Sequence, residues 1–292
     1  MLLAIDVGNT NIVFALVDGS KGGGEIVKRW RISTDANRTA DEYAVWLNQL
    51  IEMDGLKRSD IEDVVIASVV PQTLFNLRGL ARKYVDVEPM VVGAPGIDYG
   101  MPINLPNPGE VGADRIVNAV AAHAIWPGDL IIIDFGTATT FDIVSAGGSY
   151  EGGVISPGIN LSMDALYRAA AKLPRIAVEP PGQGLGVIGK GTVHAMQSGV
   201  FWGYVGLVEG LVRRLTDEIN AKVTVIATGG LAPLFSRHTT TISYVDPDLT
   251  IKGLMRIHAH NRKLVRAPVH DRNTAAERAD VALRPGLQID EG

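Results

Sequence analysis

Two stretches of the chain carry the same order of hydrophobic and polar positions. In the first, Leu2 to Ile5 is apolar, Asp6-Val7-Gly8-Asn9-Thr10-Asn11 is turn-like, and Ile12 to Val17 is again mostly apolar. This predicts two strands joined by a tight turn, with polar groups gathered at its tip. In the second, the apolar run within Asp129 to Ile133 leads into Asp134-Phe135-Gly136-Thr137-Ala138-Thr139-Thr140. Phe141 to Val144 returns as a second strand and Tyr150 to Ile155 follows as a third. Asp6 and Asp134 are 128 positions apart (134 − 6). The hairpin recurs along with the Asp-x-Gly, which points to an internal duplication.

Glu25 to Ile32 predicts a third strand for the first unit, after a flexible connection at Lys21 to Gly24. Over Thr39 to Met53, helical spacing puts Tyr43, Trp46, Leu47 and Leu50 on one face. Asp63 to Val70 reads as a buried strand, Gln72 to Tyr84 as a helix and Met90 to Val92 as a short strand. A Gly- and Pro-rich loop, Gly93 to Gly109, leads through Glu110 to Arg115 into a helix ending near Trp126. Farther on, Pro157 to Ala171 predicts a helix and Leu173 to Gly191 an irregular connection. Thr192 to Ile219 is a long helical segment, with a break expected near Gly199 or Gly203. Lys222 to Thr228 is a strand followed by Gly229-Gly230, and Ile251 to Asn261 a last amphipathic helix. From Leu264 to Gly292 the periodicity is lost, and a poorly ordered tail is expected. The sum is an α/β fold of mixed sheets flanked by helices.

The 292 residues are 46% hydrophobic, enough for one large or two medium domains. A net charge of −5 with no basic block argues against a nucleic-acid surface. Without cysteine the chain has no disulfide, thiolate-bound zinc, iron–sulfur cluster or Cys nucleophile. The first apolar run ends at Asp6 without a basic flank, unlike a signal peptide, and no apolar run reaches the length of a membrane span. A soluble cytoplasmic protein is the expectation.

Candidate chemistry gathers at the turns. Gly8 offers a positive φ and room for a ligand. Successive N–H groups there can form an anion nest, with Thr10 and Asn11 as further donors. Asp6, at a strand end, is placed to hold a hydrated cation. The same residues also suit an ordinary turn. Thr137 to Thr140 offers hydroxyls and N–H groups from an opposite wall. Asp114 is either a general base projecting into a cleft or a favourable charge at a helix N-terminus. Arg115 is either a clamp for a substrate carboxylate or half of a solvated ion pair. Asp134 either mirrors Asp6 as a strand-end acid or holds a cation. Gly184 to Gly191 imitates a phosphate loop, but Gly191 stands where Ser or Thr should follow Lys190 and no buried strand precedes it. His258 and His260 lack metal spacing and read as surface residues.

Asp6 to Asn11, Gly112-Ala113-Asp114-Arg115, Asp134 to Thr140 and Gly229-Gly230 occur in that order. Together they resemble the type III pantothenate kinases of the actin-like ATPase superfamily, over about residues 1 to 262. The resemblance implies two tandem ribonuclease H-like domains, 1–115 and 116–262, each a mixed sheet flanked by helices, with an interdomain cleft and a tail at 263–292. It implies ATP-dependent phosphorylation of pantothenate to 4′-phosphopantothenate. ATP contacts would fall at Asp6, Val7, Gly8, Asn9, Thr10, Asn11, Ile12, Val13, Thr137, Gly229 and Gly230. Pantothenate contacts would fall at Gly112, Ala113, Asp114, Arg115 and Thr192, with Asp114 as the base. Thr192 also reads as a simple N-cap. The resemblance further implies Mg2+ held by Asp6 through water, a monovalent cation (K+ or NH4+) at Asp134, and a homodimer with the substrate site at or near the subunit interface. Some members place an aromatic residue seven positions before Gly-Ala-Asp-Arg, where this chain has Leu105. A non-catalytic regulatory protein of the same fold and a superfamily sugar kinase are the alternative readings.

Overall fold

The computed structural model describes residues 1–19, 24–170, 173–182 and 184–266. Most of the connection expected at Lys21 to Gly24, and the chain beyond 266, lie outside the described residues. β1 (Leu2–Val7), β2 (Asn11–Asp18) and β3 (Glu25–Ser33) form an antiparallel meander. α1 (Ala40–Met53) crosses to β4 (Asp63–Ser68), which runs parallel to β1, and α2 (Pro71–Leu80) leads to β5 (Met90–Val91). α1 begins on a capping box: Thr39 Oγ1 accepts from the Glu42 N–H and Glu42 Oε2 from the Thr39 N–H.

An irregular segment then leads to α3 (Ala113–Ile125). The second unit follows as β6 (Asp129–Phe135), β7 (Ala138–Val144), β8 (Tyr150–Pro157), α4 (Ile159–Ala169) and α5 (Thr192–Ile219). β9 (Val223–Gly229), α6 (Ala232–Phe235), β10 (Tyr244–Val245) and α7 (Leu249–Arg266) complete it. The sheet orders are β3-β2-β1-β4-β5 and β8-β7-β6-β9-β10. One topology therefore occurs twice, as the repeated hairpin pattern predicts.

Strand alternation sorts the faces of each sheet. Leu3, Ile5 and Val7 pack with Tyr43, Leu47 and Leu77 of α1 and α2, whereas Leu2, Ala4 and Val65 meet Val117 of α3 and Ile251, Leu254 and Ile257 of α7. In the second sheet, Ile131, Ile133 and Phe135 pack with Phe201, Val208 and Phe235, whereas Leu130, Ile132 and Ile226 meet Ile116, Ala119 and Ala122 of α3 and Leu249 of α7. α3 and α7 thus form a central layer between the two sheets. They approach closely enough that a Cβ on Gly253 would stand 2.0 Å from the Val117 carbonyl oxygen.

The structure departs from the pattern in several places. α5 is a single helix, unbroken at Gly199 and Gly203. A Cβ at either glycine would meet nothing within 4 Å, so they mark an open surface and not a kink. α7 reaches Arg266, so Lys263 and Leu264 are helical, and only the part of the expected tail up to 266 is described. The limit expected at 115 falls in the first turn of α3. His258 and His260 are not free surface residues. Because α7 lies against the first unit, His258 Nε2 is 3.2 Å from Asp63 and His260 Nε2 is 3.0 Å from Asp98. α6 and β10 are too short to leave a periodic signature. No described helix is long and apolar enough to cross a membrane.

Candidate active site

Asp6 and Asp134 lie near the ends of β1 and β6, in register with the residues that face the central layer. α3 begins in that layer and brings Asp114 to the same place. Burial, then the charges of Asp114 and Asp134, push Asp6 up to about 7, with Arg31 pulling the other way. Burial, then Asp114 and Asp142, push Asp134 to about 7, against a hydrogen bond from Asn118 Nδ2 at 3.2 Å. Burial also raises Asp114, opposed by the Arg115 backbone N–H, which donates to its Oδ1 at 2.8 Å. Asp114 therefore does serve its helix N-terminus, and it is also more basic than an ordinary carboxylate. Gly112 makes room for it, since a Cβ there would sit 2.6 Å from Asp114 Oδ1.

The two turns meet across the cleft, with the Thr10 and Thr137 hydroxyls 2.9 Å apart. Each turn is braced from just past the third strand of its own sheet. Thr34 N–H donates to the Thr10 carbonyl at 3.0 Å, and Gly158 N–H donates to the Thr137 carbonyl at 3.1 Å. Gly8 does not adopt the positive φ expected of it. It supplies closeness instead: its N–H donates to Asn11 O at 3.0 Å, and a Cβ would stand 3.3 Å from that oxygen. Asn9, Thr10 and Asn11 are exposed at the tip. The Val7 and Ile12 side chains are buried in the core beneath α1, which leaves only their backbone for a ligand, and Val13 is half-buried. Gly229 has φ +88°, and a Cβ there would press 2.6 Å from Asp134 Oδ1. Gly230 is exposed with open space beside it.

A cleft of about 340 Å³ is lined by Arg115, Tyr150, Leu105, Asn107, Gly152 and Gly153. Arg115 is not in a solvated ion pair. Its Nε donates to Asp142 Oδ1 at 2.7 Å, and Asp142 is fully buried. Arg115 Nη2 lies 2.7 Å from the same oxygen without a well-directed hydrogen bond. Asp142 also accepts from Tyr150 Oη at 2.7 Å and Thr140 Oγ1 at 3.1 Å. A larger cavity, about 1050 Å³, lies at the other end of β1 around Met1, Asp63 and His258, away from both turns.

Asp142, Tyr150 and Asn118 escaped the sequence reading. Asn118 is buried one helical turn after Asp114, donates to Asp134 and accepts from Thr250 Oγ1 at 2.8 Å. Asp142 left one trace, an acid at an inward position of an apolar strand, which demands a cationic partner. Thr192 stands apart from the cluster. It is the first residue of α5 after the cap residue Gly191, so it is not the N-cap, and α5 packs on the outer face of the second sheet. No hydrogen bond or ion pair joins it to the Asp114 group among the described residues.

Residues 2–214 match the family profile of type III pantothenate kinase. A curated relative of that name in Paramagnetospirillum magneticum is 59% identical over 266 residues, covering 91% of this chain and 100% of the relative. One in Rhodospirillum rubrum is 57% identical over 262 residues, covering 90% and 99%. Among solved structures, a Baf family protein of Campylobacter jejuni, named as a transcriptional activator, aligns with a TM-score of 0.56 at 19% identity, over 89% of this chain and 99% of its own. A Sinorhizobium meliloti protein named as a 2-dehydro-3-deoxygalactonokinase aligns at 0.50 and 14% identity, over 88% and 96%. These two likenesses show a shared fold.

Proposed function

The chain belongs to the type III pantothenate kinase family, and on that premise we propose which of its residues carry each part of the reaction. It phosphorylates pantothenate with magnesium ATP to give 4′-phosphopantothenate, the first step of coenzyme A biosynthesis. Both alternatives give way to this activity, since the sugar-kinase likeness extends to the fold alone.

The observation that carries the assignment is the coupling of Asp6, Asp114 and Asp134 between two hydrogen-bonded turns. Asp114 accepts the proton of the pantothenate hydroxyl as that oxygen attacks the terminal phosphorus of ATP, the bond from that phosphorus to the β–γ bridging oxygen breaks, and ADP leaves. Its raised basicity suits this role. Arg115, fixed by Asp142, pairs with the pantothenate carboxylate in the cleft lined by Tyr150 and Leu105. Gly112 and Ala113 shape that wall. The turn from Asp6 to Asn11, with the backbone of Ile12 and Val13 and the Thr137 hydroxyl, holds the phosphates, and Gly229-Gly230 leave room for the nucleoside.

Among the described residues, no three acidic or imidazole side chains stand close enough to hold a metal by themselves. Mg2+ keeps several waters and takes ligands from phosphates. Asp6 would hold it through water. Bound there, it offsets charge on the transferring phosphoryl group. Asp134, oriented by Asn118, would hold the K+ or NH4+. Both carboxyls are raised first by burial and then by the neighbouring acids, and such a pair of buried oxygen ligands suits hard cations.

The domain division we propose keeps 1–115 and 116–262 as sequence units, with α3 and α7 shared between the sheets. Exposed apolar side chains include Ile155, Leu161, Leu166, Leu185, Val187, Ile188 and Val193, on the stretch of sequence that also carries Thr192. They support a homodimer whose interface brings Thr192 to a substrate site. With ATP as co-substrate, the enzyme works in the cytoplasm. ADP release, measured with pantothenate and with a sugar panel, each with and without K+, tests the whole reading. Turnover should require pantothenate and rise with K+. Equal turnover without K+ removes the cation assignment, and sugar-dependent turnover removes the substrate.

A further inference from the structure

Beside Asp6 the first sheet carries a cation to which no role has been given. Cross-strand pairing runs Asp6 to Val13 and Val13 to Arg31, so these residues form one row across β1, β2 and β3. Directly paired residues share a face of the sheet. At about 4.8 Å per strand, Arg31 starts roughly 10 Å from Asp6, within the span of an extended guanidinium side chain and one phosphate group. β3 is the edge strand. Arg31 is exposed, and its charge reaches the Asp6 carboxyl.

Its neighbours on the strand are already committed. Arg29 pairs with Asp248, and Lys28 pairs with Asp54 at 2.8 Å. The Arg31 side chain makes no hydrogen bond or ion pair among the described residues. The strand that carries it also supports the phosphate turn: just past Ser33, Thr34 donates its N–H to Thr10 O at 3.0 Å and its hydroxyl to Gly8 O at 2.6 Å. Arg31 is therefore held in fixed relation to that turn.

We infer that Arg31 is a further phosphate-binding residue, meeting the terminal phosphates of ATP from the edge of the first sheet. The inference rests on the assignment of the Asp6 turn as the phosphate site. Guanidinium matches phosphate oxygens with two parallel N–H donors and stays charged at any working pH. The terminal phosphates are favoured over the α-phosphate because Arg31 lies in the row of Asp6, the residue that would hold the metal accompanying the transferring phosphoryl group.

The test is calorimetric binding of magnesium ATP, ADP and AMP, without pantothenate, to the wild type, Arg31→Ala, Arg31→Lys and Asp6→Asn. Arg31→Ala should weaken ATP about tenfold or more, in keeping with a charged hydrogen bond. ADP should weaken less, AMP should be unchanged, and Arg31→Lys should recover part of the loss. In turnover, the KM for ATP should rise and the KM for pantothenate should hold. ATP binding within twofold of wild type in Arg31→Ala, or an equal loss for AMP, overturns the inference. If Asp6→Asn also binds magnesium ATP normally, the phosphate-site assignment falls with it. If Asp6→Asn alone weakens binding, only the role of Arg31 falls. An unchanged thermal midpoint in Arg31→Ala confirms that the exposed site tolerates the substitution.

Discussion

Asp6 and Asp134 occupy the same place in two copies of one sheet, yet the residues across from them differ. In the first sheet the row reads Asp6, Val13, Arg31; in the second it reads Asp134, Thr140, Ile155. Two residues earlier, Ala4, Ala15 and Arg29 face Ile132, Asp142 and Gly153. The first sheet carries its charge on the edge strand, exposed, in Arg29 and Arg31. The second buries an acid on β7, the strand next to its edge, and empties the edge position on β8. A Cβ at Gly153 would stand 2.7 Å from Arg115 Nη2 and 2.0 Å from Phe141 O, so only glycine admits the guanidinium. The duplicated frame has thus diverged. On the roles proposed above, the first copy offers Arg31 to the phosphates of ATP, and the second supplies the buried acid that fixes Arg115 of α3.

Asp114, the proposed base, acts on the carboxyls of both halves, so its loss should have the largest effect. Asp114→Asn should lower kcat by about 10²- to 10⁴-fold while magnesium ATP binding persists. Near-normal turnover would remove it as the base. The next largest effect sets the two ion pairs of the equivalent rows against each other. Asp142→Ala removes the fully buried partner of the half-buried Arg115 and should cost up to about 3–5 kcal/mol of stability in urea unfolding, with a raised KM for pantothenate. Arg29→Ala breaks the exposed pair with Asp248 and should cost no more than about 1 kcal/mol. Equal costs would mean that the two rows are not differently built.

Asp6 and Asp134 should act alike with pH, because each is raised to about 7. Between the unfolded carboxylate value of roughly 4 and about 7, the folded chain holds protons that the unfolded chain has released. Stability of the ligand-free protein should therefore be greatest at the acid end of that window and fall as pH rises through it. Thermal midpoints recorded from pH 5 to 8 would show the slope, and Asp6→Asn or Asp134→Asn should each flatten part of it. Magnesium ATP and K+ should bind more tightly as pH rises through about 7, because protons leave the same groups. The smallest effect on the single chain is expected at Ile155, the counterpart of Arg31. Ile155→Arg should change the stability of the single chain by no more than about 0.5 kcal/mol but shift the proposed dimer toward monomer in sedimentation.

The turns at Asp6 and Asp134 were legible because local chain order alone defines them: apolar run, acid, glycine, small polar residues. Gly112 to Arg115 was legible as a motif, although the partner of Arg115 was not. Asp142 sits 27 positions later on another element, and only the pairing of β7 with β8 aligns it with Gly153. Arg31 was hidden for the same reason. Its row depends on register, and the β2–β3 ladder shifts between Leu16 and Val17. Asn118 looked like one polar residue in an apolar helix until α7 brought Thr250 to it. Sequence order conveys strands and turns well, but not which strand residue ends up beside which.

The place of α7 has a consequence for how the protein is made. Leu2, Ala4, Ala15 and Val65 belong to the first half of the chain, but their cover includes Ile251, Leu254, Met255 and Ile257. A ribosome that has finished the first sheet at Val91 has therefore produced a surface whose lid begins 158 codons later, at Leu249 (249 − 91). Until α7 emerges, that apolar face must wait, shielded by a chaperone or by loose collapse, and a transcript cut short before Leu249 would release a chain that never closes.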